Sequence, residues 1–143
     1  MQKIADYYMS PSSPWTYLGH ARFGAIAHRE GVTVRVKPID YGVIFPQSGG
    51  LPLPKRAPQR QAYRLVELGR WGAHLGIPIN VQPKHFPVDA RPAAIQTGEP
   101  AFRALTEEAL RRGVFGAPTY VIGDELFWGQ DRLEFVERAL ARG

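Results

Sequence analysis

Ser13 stands in the stretch Asp6-Tyr7-Tyr8-Met9-Ser10-Pro11-Ser12-Ser13-Pro14-Trp15-Thr16-Tyr17-Leu18-Gly19, where an apolar, aromatic run gives way to a helical pattern. A hydroxyl at that junction can accept a hydrogen bond from a backbone N–H of the first helical turn, as a cap. It can also donate one to an anion, which the unpaired N–H groups and the positive end of the helix dipole already favour there. Pro14 at the first helical position costs nothing, because that N–H has no helical partner. Asp131 opens the last helical pattern. A carboxylate there is favoured by the helix dipole, and the plainer reading of it is a cap. Ahead of it, Gly116-Ala117-Pro118 runs directly into a strand, and a proline there is a candidate for a cis peptide in a tight turn.

Composition removes several kinds of chemistry. The 143 residues include no cysteine, so disulfides, thiolate metal sites and reactions of the chain's own thiol are out. A reaction needing sulfur needs a borrowed thiol. The four histidines, His20, His28, His74 and His85, lack the close spacing of a zinc motif, and no metal is expected. The net charge of +5 suits an anionic small molecule, a nucleic acid or an acidic partner. The basic residues are dispersed over several helices without an aromatic-interleaved basic patch, so nucleic acid is not expected. No apolar run has the length of a membrane span, and Met1-Gln2-Lys3 leads into a strand without a signal-peptide core. Cytoplasm and no membrane are therefore the expectation.

The elements that must position Ser13, Pro118 and Asp131 follow from periodicity, within one domain spanning 1–143. Lys3 to Met9 reads as a largely buried strand, and Trp15 to Arg29 as a helix ended by Gly31. Val32, Val34, Val36 and Ile39 then alternate with Thr33, Arg35 and Lys37, giving a second strand. Together they make a right-handed βαβ unit with parallel strands. Asp40 to Pro58 reads as a long irregular loop bearing Lys55 and Arg56. Gln59 to Leu75 is a helix with Tyr63, Val66, Leu68 and Trp71 facing inward, stopped by Gly76. Ile77 to Val81 is a short extended piece, and Pro83 to Pro87 a loop whose Phe86 is either a core plug or the wall of an apolar pocket. Asp89 to Pro100 is a short helix or a linker, and Phe102 to Arg111 a helix. Thr119–Ile122 and Glu125–Trp128 form a hairpin about Gly123-Asp124, ahead of a last helix striped by Leu133, Val136, Ala139 and Leu140. The order β-α-β, helices, β-β-α is an α/β thioredoxin-like fold, in which a helix N-terminus and a cis-proline loop face each other across one site.

On these residues the chain resembles the 2-hydroxychromene-2-carboxylate isomerases, of the DsbA-like and kappa-class glutathione transferase group. The resemblance is carried by the segment 6–19, G-G-L-P-L-P-K-R-A-P-Q-R at 49–60, L-G-R-W at 68–71, Q-P-K-H-F-P at 82–87 and V-F-G-A-P-T-Y-V-I-G-D-E-L-F-W-G-Q-D-R-L at 114–133. It implies glutathione as the borrowed thiol. Ser13, standing where redox relatives carry the first cysteine of C-x-x-C, would be the catalytic residue and favour the thiolate. Ala117 beside a cis Pro118 would pair with the tripeptide backbone. Trp128, Gly129, Gln130 and Asp131 would hold its γ-glutamyl end, although many relatives have Asn or Ser at the position of Gln130. Phe45, Lys55 and Phe86 would line the side of an aromatic 2-oxo acid. The implied reaction is isomerisation through reversible thiolate addition to a conjugated alkene, with no net oxidation.

Members of that group are longer and carry an all-helical insertion before the last strands, which walls the substrate cavity and helps the subunits pair. Here only Val88 to Arg112 separates those regions, leaving a remnant at about 76–112. A homodimer is the expectation from the resemblance. A kappa-like glutathione transferase and a non-catalytic thioredoxin-fold binding module are the alternatives.

Overall fold

A computed structural model describes residues 2–142. Its sheet has the order β2-β1-β3-β4, with β1 at Ile4–Met9, β2 at Thr33–Pro38, β3 at Thr119–Ile122 and β4 at Glu125–Trp128. β1 and β2 run parallel through the crossover helix α1 (Pro14–Arg29), while β3 is antiparallel to both β1 and β4. Helices α2 (Tyr41–Ser48), α3 (Pro58–Leu75), α4 (Arg91–Ala94), α5 (Glu99–Arg111) and α6 (Leu133–Arg142) complete the chain.

β1 is paired on both sides and covered on both faces, which is why it reads as an apolar run. Ala5 and Tyr7 pack with Phe23 and Ile26 of α1 and with Leu133, Val136 and Leu140 of α6. The rings of Tyr7 and Tyr120 stack at 5.3 Å, with Phe23 tilted against both. On the opposite face Tyr8 and Val121 pack with Ile44 of α2 and Ala109 of α5.

The same face carries charge. Arg35 lies opposite Asp6 in the sheet register, and Lys37 opposite Tyr8. Asp6, only 2% exposed, accepts hydrogen bonds from Arg35 Nε and Nη2 at 2.6 and 2.8 Å and meets Lys37 Nζ at 3.1 Å. Arg112 also donates to Asp6, and Glu108 of α5 accepts from Lys37 and Tyr8. On β2 Lys37 is thereby buried, whereas Arg35 and Val36 are exposed.

Two sequence expectations change. The stretch read as irregular contains α2, capped by Asp40, whose carboxylate accepts from Gly42 N at 2.9 Å, and ended by Gly49. Pro46 hid it, because proline inside a helix removes one hydrogen bond; the helix is only eight residues long and loses little. Tyr63 and Val66 of α3 are exposed rather than inward, and α3 buries only Leu68 and Gly72. No described helix is long and apolar enough to cross a membrane.

Candidate functional site

The sheet register assembles the site. Tyr8 of β1 lies opposite Thr119 of β3, so the loop leaving β1 and the loop entering β3 meet at one end of the sheet. Thr119 in turn lies opposite Trp128, which brings the end of β4 to the same place. Ser13, Ala117, Pro118 and residues 128–131, far apart in the chain, are thus collected by strand pairing alone.

Ser13 has extended backbone (φ −79°, ψ 119°) and caps α1, its Oγ accepting from Thr16 N at 3.2 Å. Among the described residues the hydroxyl proton of Ser13 has no acceptor, and the Trp15 N–H beyond it has none either. A cap therefore leaves two donors available at the positive end of a helix of 16 residues. Across the site the Ala117–Pro118 peptide is cis, as the strand-entry position suggested. Neither the N–H nor the C=O of Ala117 is hydrogen-bonded within the described residues.

The residues after β4 divide into two kinds. Trp128 is 51% exposed and lies tilted on Phe115 at 4.9 Å, forming an apolar lip beside the proline loop. It sits so close over Gly116 that a Cβ there would run into the indole ring, which requires glycine at 116. Gly129 has φ +103° and donates to the Pro118 carbonyl at 2.9 Å, tying the two loops together. The Asp131 carboxylate folds back over Gly129 and pairs with Arg132 at 2.6 Å at the surface. Gln130 is different. It is 2% exposed and accepts from Arg22 of α1 at 2.8 Å, so its side chain is committed to holding α1 against the last turn.

The structure brings in a residue that the sequence reading passed over. The Tyr41 hydroxyl, from the start of α2, donates to the Gly116 carbonyl at 2.8 Å. Burial pushes this phenol well above its ordinary pKa, so it remains a donor. Tyr41 also walls a cavity of about 240 Å³ together with Ser10, Ser12, Ile39 and Val88. That cavity opens where the parallel strands β1 and β2 end, the usual place for a ligand in such sheets. The Phe45 ring packs 5.5 Å from the Tyr41 ring and does not itself line the cavity. Phe86 is half-buried under the Arg64 guanidinium, and Lys55 is exposed. Lys55 was not brought into contact with the Ser13 end by any described hydrogen bond or ion pair. Tyr41 carried no sequence signal, since it stands in a stretch dense in glycine and proline.

The family model for the DsbA-like thioredoxin domain matches residues 5–97 and 93–141. The chain belongs to the DsbA-like thioredoxin family. Within it, this domain is similar to the 2-hydroxychromene-2-carboxylate isomerase of Sphingobium xenophagum, at 23% identity over 98% of the chain and 99% of that protein. It is similar to the enzyme of the same name from Pseudomonas putida at 27% identity, over 97% of the chain and 95% of that protein. A solved structure of a 2-hydroxychromene-2-carboxylate isomerase superposes with a TM-score of 0.77 at 24% identity, over 97% of this chain and 95% of that one. A probable DsbA oxidoreductase of Streptomyces coelicolor superposes at 0.69 with 15% identity, over 99% of this chain and 89% of that one. These likenesses show the thioredoxin fold. The alignment with the Sphingobium protein runs over 193 positions against the 143 residues of this DsbA-like domain, so about fifty positions have no counterpart here. The two matched segments meet at 93–97, which puts the shortening at α4 and the turn after it.

Proposed function

We propose that this DsbA-like domain is a glutathione-dependent isomerase acting on 2-hydroxychromene-2-carboxylate or a similar aromatic 2-oxo acid. The observation that carries the reading is the free hydroxyl proton of Ser13 at the N-terminus of α1, facing the unpaired backbone of Ala117 in a chain without cysteine. The relatives named as isomerases support the reaction class. The residues present fit a tripeptide thiol: Ala117 offers one N–H and one C=O without partners among the described residues, and Asp131 offers a surface carboxylate for an ammonium group. A glutathione held there would supply a thiolate for reversible addition to a conjugated double bond, which would let that bond rotate. Ser13 donates a hydrogen bond toward that sulfur, and the helix dipole with the Trp15 N–H adds positive potential. Trp128 and Phe115 shield the approach from water, and Tyr41 holds the loop of Ala117 in place. Gln130, whose amide oxygen accepts from Arg22, also seats α1 beside the segment proposed to hold the γ-glutamyl end.

The test is a titration of glutathione followed by thiolate absorbance. The parent chain binds at millimolar concentration with a lowered thiol pKa, and Ser13→Ala loses at least tenfold in thiolate formation. Absence of binding in the parent ends the proposal. The exposed face of α3 and the missing fifty positions favour one second reading, a binding module that takes glutathione without turnover. Glutathione binding with no conversion of 2-hydroxychromene-2-carboxylate selects it.

A further inference from the structure

Arg91 ties the segment Val88–Ala94 to two neighbouring helices at once. Its Nη1 donates to Asp40 Oδ2 at 3.0 Å, and its Nη2 donates to the Glu99 carboxylate at the start of α5. The guanidinium lies 5.7 Å from the centre of the Phe102 ring, which is itself buried. The Arg91 N–H donates to the Asp89 carboxylate at 2.9 Å, which turns the chain into α4. Two carboxylates and a ring face therefore fix a side chain that is half exposed.

Asp40 passes this anchor on to the site. Its other carboxylate oxygen accepts from Gly42 N as the cap of α2, and its own N–H donates to Thr106 Oγ1 at 3.0 Å. The next residue is Tyr41, whose hydroxyl holds the Gly116 carbonyl one position before Ala117. Arg91 is thus joined through Asp40 and Tyr41 to the cis-proline loop. The same segment lines the 240 Å³ cavity: Val88, Arg91 and Ala94 face it together with Ser10 and Ser12 of the loop that leads to Ser13. It also stands where the chain is shortened. Gly98, with φ +97°, donates to the Ile95 carbonyl at 2.7 Å and turns the chain directly into α5. Within Val88–Ala94 only Ala94 is buried, so little apolar packing holds the segment down. A half-exposed ion pair contributes little to global stability. What it controls here is local opening, which in a thinly packed segment lies far below the cost of global unfolding.

We propose that Arg91 is a positioning residue: it straps Val88–Ala94 along the cavity and, through Asp40, sets the Tyr41 contact that holds the Gly116-Ala117 turn. That this turn receives glutathione rests on the isomerase reading above. The strap itself does not.

Arg91→Gln removes the guanidinium. Asp40→Asn removes the link from the other end and keeps the cap, because asparagine caps a helix as well as aspartate. Its one amide oxygen goes to Gly42, and its amide nitrogen faces Arg91. Both variants are compared with the parent by amide hydrogen exchange and by the indole N–H resonance of Trp128, which lies against Gly116. In both, the Ala94 and Gly98 amides exchange at least tenfold faster and the Trp128 resonance shifts, while α1 and α6 keep their protection. Arg103→Gln, exposed farther along α5, changes neither readout. Unchanged exchange at Ala94 and Gly98 in either variant overturns the proposal, as does an unmoved Trp128 resonance. Loss of protection throughout α1 and α6 also overturns it, since Arg91 then serves the whole fold. Glutathione is titrated against the same chains. Where the parent binds it, each variant weakens it at least fivefold, and neither adds to the loss caused by Tyr41→Phe, because all three act on one contact. Affinity equal to the parent, or losses that add to that of Tyr41→Phe, overturns the proposal and leaves the isomerase reading. No binding in the parent ends that reading, and the exchange and Trp128 measurements then decide the strap.

Discussion

Around Asp6 every charge has an opposite number; along the start of α3, among the described residues, none does. Asp6 sits between Arg35, Lys37 and Arg112, and Glu108 closes the set from α5 with Lys37 and Tyr8. Arg56 and Arg64 lie over aromatic rings, Arg56 Nε donates to the Leu51 carbonyl, and Arg60 stands exposed between them. Both regions keep cations partly out of water, and both must compensate for it. The first does so within the chain, tying β1, β2 and α5 together. The second does so with ring faces and one backbone carbonyl, without opposite charge. Removing a partner from the first strands an opposite charge out of water, and removing an arginine from the second strands none.

The strongest way to break this contrast is to remove the centre of the satisfied network. Asp6→Asn leaves Arg35, Lys37 and Arg112 around a neutral amide, and a loss of about 3 kcal/mol is expected from the usual cost of breaking a buried pair. Urea unfolding at neutral pH measures it; a loss below 1 kcal/mol would place the network on the surface in energetic terms.

Acid separates the two regions next. Burial pushes the Asp6 carboxyl up, but hydrogen bonds from Arg35, Arg112 and Lys37 overcome it and hold Asp6 below the ordinary carboxyl value. Burial likewise opposes, and Lys37 and Tyr8 outweigh it, at Glu108. A depressed folded value means stability that is complete above the unfolded carboxyl range of about 4 and is lost as pH falls through the folded values. The acid limb of the stability profile is therefore steep in the parent and shallower in Asp6→Asn. The arginines of α3 stay charged throughout, and Arg64→Met leaves the limb unchanged.

Ser13 stands between the cases, a satisfied acceptor with a free donor. Ser13→Ala costs about 1 kcal/mol as a lost cap, measured by thermal unfolding, and Ser13→Asn recovers that stability without recovering thiolate formation. The smallest effect is at Arg60. Replacing it by Gln relieves a like-charge pair with Arg64 one turn away and stabilises α3 by a few tenths of a kcal/mol. A loss of stability instead means that Arg60 has a partner within the fold, and the contrast weakens.

Much of this molecule is readable from its own sequence because the relevant signals are local. Ser13-Pro14 caps α1 by contacts within one turn, the Gly123-Asp124 turn sets a hairpin, and the position of Pro118 before a strand marked the cis peptide. The residues placed at 117–118 and 128–131 by resemblance arrive at one end of the sheet as that fold requires. Other features were not readable. α2 escaped because Pro46 and its glycine neighbours speak against a helix locally, while Ile44 is held by the core formed with Tyr8 and Val121. The alternation in β2 announced a strand but not its orientation, and Lys37 went inward only because Asp6 and Glu108 receive it. That the amide oxygen of Gln130 also takes Arg22 of α1 carried no local signal.

The sequence by itself determined the elements other than α2, the cap at Ser13 and the absence of a thiol, since periodicity, capping and composition depend on near neighbours or on none. Which polar groups are consumed and which remain free was decided by the tertiary structure. That choice depends on partners such as Asp6 and Arg112, or Arg64 and Phe86, which chain folding alone brings within reach.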